Sequence, residues 1–316
     1  MRPKLSVITP TYNQAKFIEK TIESVLDQGY ENLEYVIVDG GSTDGTVDLI
    51  RRYEDHLAWW VSEPDEGQTD AINKGIERTS GEIVAYINSD DYFLPGAFDR
   101  AVEVLESTEA DYIGAAVLDL DTDGRLTEMG VWRPEPPRRY EEHFPRGRQW
   151  WLVVPFYLPQ SSVFWRREVF ERNGLFSTDL HYVFDGEFMC RLALAGEKLV
   201  LVPGEALSVR GVHEEQKSSE PPKFRLEIET FPTRLGDRLT LWERLKLRVV
   251  LLLRRMHVYR YVEDVGRGWP ARWLMDHVVA RLLRIGGDVL ERVPERIRPP
   301  VRTRDRRRRR EGSDRR

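Results

Sequence analysis

Apolar positions in the first 110 residues alternate between short continuous runs and stretches of helical spacing. The continuous runs have the composition of buried strands, and there are four: LSVIT at 5–9, EYVIVD at 34–39, AWWVS at 58–62 and EIVAYIN at 82–88. Between and after these runs, apolar residues recur every three or four positions. This spacing predicts four helices, over 14–26, from a cap at 42–44 to Tyr53, over 69–78 and over 95–105.

Strands that alternate with helices predict a parallel sheet with helices on both faces. In such sheets, ligands bind at the carboxyl ends of the strands. Acidic residues stand at two of these ends: Asp39 closes the second run, and Asp90 and Asp91 follow the fourth. Because two adjacent carboxylates cannot be buried unpaired without a large desolvation cost, we expect them at the rim of the sheet.

Beyond residue 110 the pattern changes. Residues 111–129 predict two strands joined by a turn at Asp123 and Gly124, and further strands are predicted over 161–166 and 198–203. A helix over 184–194 would turn Phe188, Leu192 and Ala195 inward. From residue 223 the apolar spacing is again helical.

Charge divides the chain into an acidic body and a basic C-terminal third. The net charge is −5, but residues 232–316 contain 24 Lys+Arg and 11 Asp+Glu, a balance of +13 that leaves −18 for residues 1–231. Such asymmetry indicates an anionic partner for the basic part. We expect neither a signal peptide nor a membrane span, and the lone Cys190 is expected to be a buried small residue in a reducing compartment.

Taken singly, the polar stretches have two interpretations each. Asp90 and Asp91 could ligate a hard divalent cation, or one of them could cap the following helix. VDGGSTDGT at 38–46 contains neither a dinucleotide fingerprint nor a P-loop lysine, and on its own a well-capped turn is the simpler interpretation. EPDEGQTDAINKG at 63–75 is equally open.

Taken together and in order, five stretches resemble one family. SVITPTYNQAKFIEKTIESVLDQ, YVIVDGGSTDGT, EPDEGQTDAINKG, GEIVAYINSDD and HYVFDGEFMCRLALAG are similar to motifs of the inverting glycosyltransferases of family 2. The resemblance covers about residues 1–220. It implies the α/β GT-A fold, with a mainly parallel nucleotide-binding sheet over 1–110 and an acceptor half over 111–222. A basic amphipathic helical extension over 223–301 and an Arg-rich disordered tail over 302–316 would follow.

The resemblance also implies roles for individual residues. Asp185 matches the catalytic base, Asp90 matches the metal-binding carboxylate, and Asp91 and His213 match residues that assist it. Asn88 stands where the family often has a first Asp, so it is expected at a ribose hydroxyl rather than at the metal. The remaining nucleotide-sugar contacts implied by the motifs are Thr9, Pro10, Tyr12, Asp39, Asp65 and Gln68.

This chemistry needs two separate acids. Negative charge accumulates on the diphosphate as the glycosidic bond breaks, and Mg²⁺ or Mn²⁺ can offset it as a Lewis acid. One further carboxylate must take the proton from the acceptor hydroxyl. The expected activity is therefore metal-dependent, inverting hexosyl transfer from a nucleotide-diphosphate sugar, with a UDP-sugar favoured, to a glycan or lipid-linked acceptor in cell-surface polysaccharide or glycolipid synthesis.

Two alternatives belong to other classes. An inactive GT-A protein with a regulatory or binding role would be expected to lose Asp90 or Asp185, and both are present. A nucleotidyltransferase would need a Gly-rich basic loop after the first strand, and TPTYNQ has no glycine. We expect a cytoplasmic protein and no nucleic-acid partner. For the basic helices, packing on the catalytic domain and attachment to an anionic membrane at its inner face both stay open.

Overall fold

A computed structural model describes residues 2–120, 124–129, 158–213, 216, 221–241, 243–245 and 248 of the chain. These residues form one sheet of nine strands: β1 Leu5–Thr11, β2 Leu33–Asp39, β3 Trp59–Ser62, β4 Ile83–Tyr86, β5 Tyr92–Phe93, β6 Tyr112–Leu120, β7 Leu126–Met129, β8 Val163–Arg166 and β9 Leu199–Gly211. The helices are α1 Ile18–Leu26, α2 Thr46–Arg52, α3 Gln68–Arg78, α4 Ala97–Ser107, α5 Arg167–Asn173, α6 Phe184–Ala195, α7 Pro221–Ile228 and α8 Phe231–Arg234.

The first four strands are parallel, as the alternation of strands and helices predicts. Their order in the sheet is β3-β2-β1-β4, with Leu5 of β1 in register with Leu33 of β2 and Ile83 of β4. The carboxyl ends of β1, β2 and β4 therefore meet at one edge. This edge carries Asp39 and the acidic run after β4.

The second half of the sheet is mixed rather than parallel. The order continues β8-β6-β9-β5; β8 is antiparallel to β4 and β6, and β5 is antiparallel to β9, while β6 and β9 are parallel. The predicted pairing of these two strands is confirmed, because β7 lies antiparallel to β6. Gly124, just before β7, has a φ of 75°, whereas Asp123 lies outside the described residues. The antiparallel strands bring β9 beside the turn that follows β4.

Alternate residues of each inner strand face opposite layers of the core. Ile8, Val36 and Val84 point to the layer built from α3, α5 and α6, whereas Val7 and Ile37 point to the layer of α1, α2 and α4. The sheet is thus buried on both faces, which explains the continuous apolar runs that mark its strands.

Two helices differ in detail from the sequence predictions. Helix α1 begins at Ile18 rather than at residue 14 because the loop before α2 captures the preceding segment: Thr46 Oγ1 accepts the N–H of Gln14 at 2.9 Å and Asp44 accepts that of Ala15 at 3.0 Å. The prediction for α6 is confirmed for Phe188 and Leu192, which are fully buried, but Ala195 is exposed because it is the last residue of the helix. Cys190 is buried, as expected.

The packed core continues past residue 222, where the catalytic domain was expected to end. Ile228 of α7, Phe231 of α8, Leu235 and Leu239 are at most 6% exposed and belong to the layer that contains α6. The helical spacing from residue 223 therefore reflects, up to Leu239, packing within this core layer. No helix among the described residues is long and apolar enough to cross a membrane. Most of the predicted extension, and the whole Arg-rich tail, lie outside the described residues.

Candidate active site

A cleft of about 1070 Å³ opens at the carboxyl edge of the parallel strands. Most of the residues predicted to bind the donor or to do the chemistry line it: Pro10, Tyr12, Asp65, Gln68, Asn88, Asp90, Asp91 and Asp185. They come from four separate segments of the sequence. The sheet edge brings them together because β1, β2, β3 and β4 all end on the same side.

The acidic run Asn88 to Asp91 forms a tight turn immediately after β4. The N–H of Asp91 donates to the carbonyl of Asn88 at 3.1 Å, and the hydroxyl of Thr21 in α1 donates to the carbonyls of Ser89 and Asp91 at 2.9 and 2.6 Å. On the other side, β9 approaches so closely that a Cβ added to Gly211 would lie 2.5 Å from the carbonyl oxygen of Asp90. The turn is therefore held rigidly between α1 and β9.

Asp90 and His213 form a pair at this turn. Oδ2 of Asp90 lies 3.1 Å from Nε2 of His213, and the two side chains are 17% and 13% exposed. The imidazole stacks on Phe17, with ring centroids 4.7 Å apart and planes inclined by 19°. A carboxylate oxygen and an imidazole nitrogen thus converge in a partly dry, pre-ordered geometry at the rim of the cleft.

Asp91 is deeper and is 1% exposed. Its Oδ1 accepts the N–H of Gly211 at 3.1 Å, while its Oδ2 is buried and has no hydrogen-bond partner among the described residues. Burial, together with the negative charge of neighbouring Asp90, raises the pKa of the Asp91 carboxyl well above its ordinary value. A positive charge beside this turn would favour the ionised form of Asp91 and so offset both its burial and its repulsion by Asp90.

These residues fit a divalent cation whose remaining ligands would come from the substrate. Among the described residues, no group of three or more His, Cys, Asp or Glu side chains is arranged to hold a metal by itself. Mg²⁺, however, is typically held by one or two carboxylates plus substrate phosphates, and Mn²⁺ also accepts imidazole nitrogen and carboxylate oxygen. Asp90, His213 and the unpartnered oxygen of Asp91 are the donors that this site offers.

The side of the cleft that is predicted to bind the nucleotide is built from the loops after β2 and β3. A Cβ on Gly40 would lie 2.8 Å from Oδ2 of Asp65, so the glycine lets the Asp65 carboxylate lie directly against the loop after β2. Oδ1 of Asp65 accepts the N–H of Gly67 at 2.8 Å, just before α3 begins at Gln68. The side chain of Gln68 then donates to Oδ1 of Asn88 at 2.6 Å, which ties α3 to the acidic turn.

Two predicted donor contacts, Asp39 and Thr9, lie behind the lining of the cleft. Asp39 is fully buried, and its carboxylate accepts hydrogen bonds from the N–H groups of Gly41 and Ser42 and from the hydroxyls of Ser42 and Ser62. Thr9 is fully buried and its hydroxyl pairs with that of Tyr35 at 3.0 Å. Both residues shape the loops around the cleft, and direct contact of either one with a base stays a prediction.

Asp185 lies in the first turn of α6. Its Oδ1 accepts the N–H of Gly186 at 2.7 Å, and the half-buried side chain lines the cleft. Desolvation raises the pKa of Asp185 to about 6, although the N–H groups of Gly186 and of Asp185 itself act in the opposite direction. A carboxylate with a pKa close to neutral is suited to accept a proton.

The sequence reasoning missed part of the lining. Gln160 and Ser161 precede β8, and Phe224, Ile228 and Phe231 come from α7 and α8, beyond the motifs. Eight buried side-chain polar atoms have no partner among the described residues, and half of them belong to the lining: Thr11 Oγ1, Gln14 Oε1, Asp91 Oδ2 and Gln160 Oε1. Buried polar groups are normally paired, so this concentration indicates a site for a polar ligand.

Comparison with known proteins gives this site a family. Residues 6–174 match the family described as glycosyl transferase family 2. The chain belongs to this family. The match spans β1 to the end of α5 and so includes the acidic turn. This family-2 chain is therefore a glycosyltransferase.

Relatives in sequence agree with the assignment. An uncharacterized glycosyltransferase of Mycobacterium tuberculosis is 31% identical over 202 residues, which cover 63% of this chain and 72% of the relative. The Bacillus subtilis protein TuaG, named as a glycosyltransferase of teichuronic acid biosynthesis, is 34% identical over 137 residues, covering 42% of this chain and 54% of TuaG.

Solved structures confirm the predicted GT-A fold. TarS 1–349 of S. aureus, crystallised with UDP-GlcNAc, has a TM-score of 0.64 at 20% identity, over 83% of this chain and 76% of TarS 1–349. The mannosyltransferase PcManGT of Pyrobaculum calidifontis, crystallised with GDP-Man and Mn²⁺, has a TM-score of 0.58 at 20% identity, over 90% of this chain and 81% of PcManGT.

Proposed function

We propose that this glycosyltransferase moves a sugar, with inversion, from a nucleotide-diphosphate sugar to an acceptor hydroxyl in the synthesis of a cell-surface polysaccharide or glycolipid. The observation that carries the proposal is that Asp90, beside His213, and Asp185 line one cleft. In this proposal the first acid would hold the diphosphate through a cation, and the second would act as the base.

The donor would lie along the edge formed by Pro10, Tyr12, Asp65 and Asn88, with its diphosphate at Asp90 and His213. A divalent cation bound there would stabilise the negative charge that develops on the leaving diphosphate. The residues that would hold it are Asp90 and His213, with Asp91 beside them. Mn²⁺ and GDP-Man in PcManGT, and UDP-GlcNAc in TarS 1–349, support this class of ligand. A UDP-sugar is our favoured donor.

Asp185 would act on the acceptor. Its ionised carboxylate removes the proton of the acceptor hydroxyl as that oxygen attacks the anomeric carbon, and the bond from this carbon to the diphosphate oxygen breaks. Because attack and departure occur on opposite faces in one step, the anomeric configuration inverts. A pKa of about 6 leaves Asp185 mostly ionised at neutral pH while keeping it a useful base.

The name of TuaG supports a polysaccharide or related glycan as product. The unpartnered oxygens of Thr11, Gln14 and Gln160 support a ligand rich in hydroxyl groups, since each could accept a hydrogen bond from one.

The test is a panel of UDP-, dTDP- and GDP-sugars with Mn²⁺ or Mg²⁺. A donor present at about 100 times its Kd should stabilise the protein by roughly 2.7 kcal/mol in thermal unfolding. Donors found in this way are then incubated with glycan and lipid-linked acceptors, and the anomeric configuration of the product is read by NMR. A protein that responds to none of the donors, or a product that retains the donor configuration, would contradict the proposal.

A further inference from the structure

The segment that leads into α6 has no regular secondary structure of its own from Phe176 to Val183, and we call it the base loop. Side chains of α3 hold its first part. Thr69 donates its hydroxyl to the carbonyl of Leu180 at 2.9 Å, and the Asn73 amide bonds both the carbonyl and the N–H of Phe176, at 2.9 and 3.1 Å. The base loop is therefore fixed from the donor side of the cleft.

The last three residues of the base loop are held from the opposite side by a single carboxylate. Glu227 of α7 accepts the N–H of His181 through Oε1 at 2.9 Å, and the N–H groups of Tyr182 and Val183 through Oε2 at 2.7 and 3.1 Å. Hydrogen bonds from N–H to an ionised carboxylate are about twice as strong as neutral ones. Three of them converge on one side chain here.

This contact lies next to the reacting group. Val183 precedes the first residue of α6, and Asp185 is in its first turn. The N–H groups before and within the first turn of a helix have no partners inside the helix, and the helix dipole favours a negative charge beside them. Glu227 is therefore bonded to the backbone that leads directly into α6, and Val183, the last of these residues, lies two positions before Asp185.

Helix α7 also forms a wall of the same cleft. Phe224 and Ile228 line it, and the rings of Phe224 and Tyr182 are 5.2 Å apart. A second contact secures the adjoining helix, since Arg234 of α8 bonds the carboxylate of Asp179 in the base loop, with Nη1 to Oδ1 at 3.0 Å. A group that receives a proton from the acceptor must face it, so the wall beside Asp185 faces the acceptor.

We propose that Glu227 is a positioning residue for the base Asp185, and that α7 is the acceptor-side wall to which it ties the base loop. This inference rests on the proposed function, because it takes Asp185 as the base. A displacement of about 1 Å at a reacting group can cost roughly 100-fold in rate. Loss of the three hydrogen bonds should therefore act on turnover and leave the donor site intact.

The experiment compares Glu227→Gln with the matched control Glu229→Gln, an exposed glutamate two residues further along. The glutamine amide keeps the shape of Glu227 but replaces one acceptor oxygen by an NH₂ group, which would face backbone donors. We expect kcat of Glu227→Gln to fall roughly 10- to 100-fold, with donor Kd, measured by titration with the sugar nucleotide and Mn²⁺, within twofold of the wild type. Hydrogen exchange should accelerate at the amides of His181, Tyr182 and Val183, and Glu229→Gln should match the wild type in all three measurements.

The outcomes separate this inference from the proposed function. If Asp185→Asn abolishes transfer while Glu227→Gln keeps kcat within twofold of the wild type, the positioning role is wrong and the base assignment stands. If Glu227→Gln weakens donor binding as much as turnover, its effect is general damage and the inference fails. If the wild type transfers no sugar, the proposed function fails, and unchanged exchange at the three amides of Glu227→Gln would then independently refute the contact.

Discussion

The imidazole of His213 lies 3.1 Å from the carboxylate of Asp90, although 123 residues separate them in the chain. The contact exists because β9 runs beside the turn after β4 and carries a glycine, Gly211, where its backbone approaches that of Asp90. A residue distant from the acidic motif thereby completes the pair that we assign to the donor diphosphate.

Removal of the Asp90 carboxylate should abolish metal-dependent chemistry. We expect Asp90→Ala to lose at least about 100-fold in rate, because a bound cation contributes several kcal/mol of charge stabilisation to the leaving group. Donor binding, followed by calorimetry with and without Mn²⁺, should lose its dependence on the metal. His213→Ala should show the same pattern more weakly, since one carboxylate ligand remains.

The matched control for this change is Asp48→Ala, which removes an exposed aspartate from α2. It should leave both rate and metal dependence unchanged. Exhaustive chelation with EDTA should reproduce the Asp90→Ala phenotype in the wild type. Full activity in the presence of the chelator would exclude the cation role.

Asp185→Asn should separate binding from chemistry. The amide keeps the oxygen that accepts the N–H of Gly186 but cannot take a proton. We expect donor affinity within a few-fold of the wild type and a loss of roughly 100-fold or more in kcat, the usual scale for removal of a general base. Near-normal turnover of this variant would assign the base to another group.

The pH dependence should report the environment of Asp185. Because desolvation raises the pKa of its carboxyl to about 6, the base becomes protonated as the pH falls through that value. We expect kcat/KM to decline as the pH is lowered, with a midpoint near pH 6. The pH profile of Asp185→Asn should lack this acid limb. An acid limb near pH 4, the ordinary range of an aspartate, would show that the carboxyl is solvated during catalysis.

The raised pKa of Asp185 should also make the stability of the fold depend on pH, in the direction opposite to its effect on activity. The folded protein holds the Asp185 proton more tightly than the unfolded chain does, so the stabilisation from this group is present below pH 4 and lost as the pH rises through about 6. Asp185→Asn removes the buried charge. Its melting temperature should therefore exceed that of the wild type at pH 8, and the difference should shrink toward pH 4. A difference in melting temperature between the two proteins that stays constant from pH 4 to pH 8 would refute the link between this pKa and stability.

Gln160 offers a test of the polar lining. Its Oε1 is buried without a partner in the part of the chain that the structure describes, and the residue lines the cleft. Gln160→Met keeps the volume and removes only hydrogen-bonding groups. If a substrate hydroxyl donates to this oxygen, kcat/KM should fall roughly 3- to 10-fold, as expected for one hydrogen bond. Thermal stability should be unchanged or higher, because an unpaired polar atom is lost. A drop in stability with unchanged kinetics would make Gln160 a structural residue.

The sequence could predict the parallel half of the sheet because its signals are local. Runs such as LSVIT and EYVIVD are buried on both faces, and turn residues follow them directly. The sequence therefore marks the strand, its carboxyl end and the acidic residue at that end in one short stretch. The order of the strands placed Asp90 at the rim without any knowledge of distant contacts. Only the family resemblance, however, gave Asp185 and His213 their roles.

The remaining features arise from contacts between distant segments. Nothing near Glu227 in the sequence marks it, since its importance lies in the backbone N–H groups of His181 to Val183. Burial of Phe231 and Leu239 likewise depends on packing within the core layer that contains α6, which helical spacing alone cannot distinguish from an exposed apolar face. Thr9 resembles a site residue in its motif, but the pleat of β1 turns its hydroxyl to Tyr35.

The basic C-terminal part leads to the last prediction. Leu239 is 5% exposed, but Leu241 and Leu245, one helical turn apart, are 82% and 50% exposed beside Arg244 and Arg248. Residues 249–316 then contain 19 Lys+Arg and 9 Asp+Glu, a balance of +10. Each basic residue near an anionic bilayer contributes about 1 kcal/mol of attraction. We therefore expect peripheral binding to anionic membranes, which would suit a lipid-linked acceptor.

Liposome co-sedimentation checks this expectation with full-length protein and a chain that ends after Arg248. The shorter chain keeps Phe231 and Leu239, whose removal would open the core. The full-length protein should sediment with anionic vesicles at low salt and be released at high salt, because screening weakens charge attraction, whereas the shorter chain should stay in the supernatant. The full-length variant Leu241→Ser/Leu245→Ser separates charge attraction from insertion of the leucines. If the exposed leucines insert into the bilayer, this variant should bind less tightly at low salt and be released at lower salt than the wild type. Equal recovery of the full-length and shortened proteins in the supernatant at low salt would rule out membrane binding through the basic part.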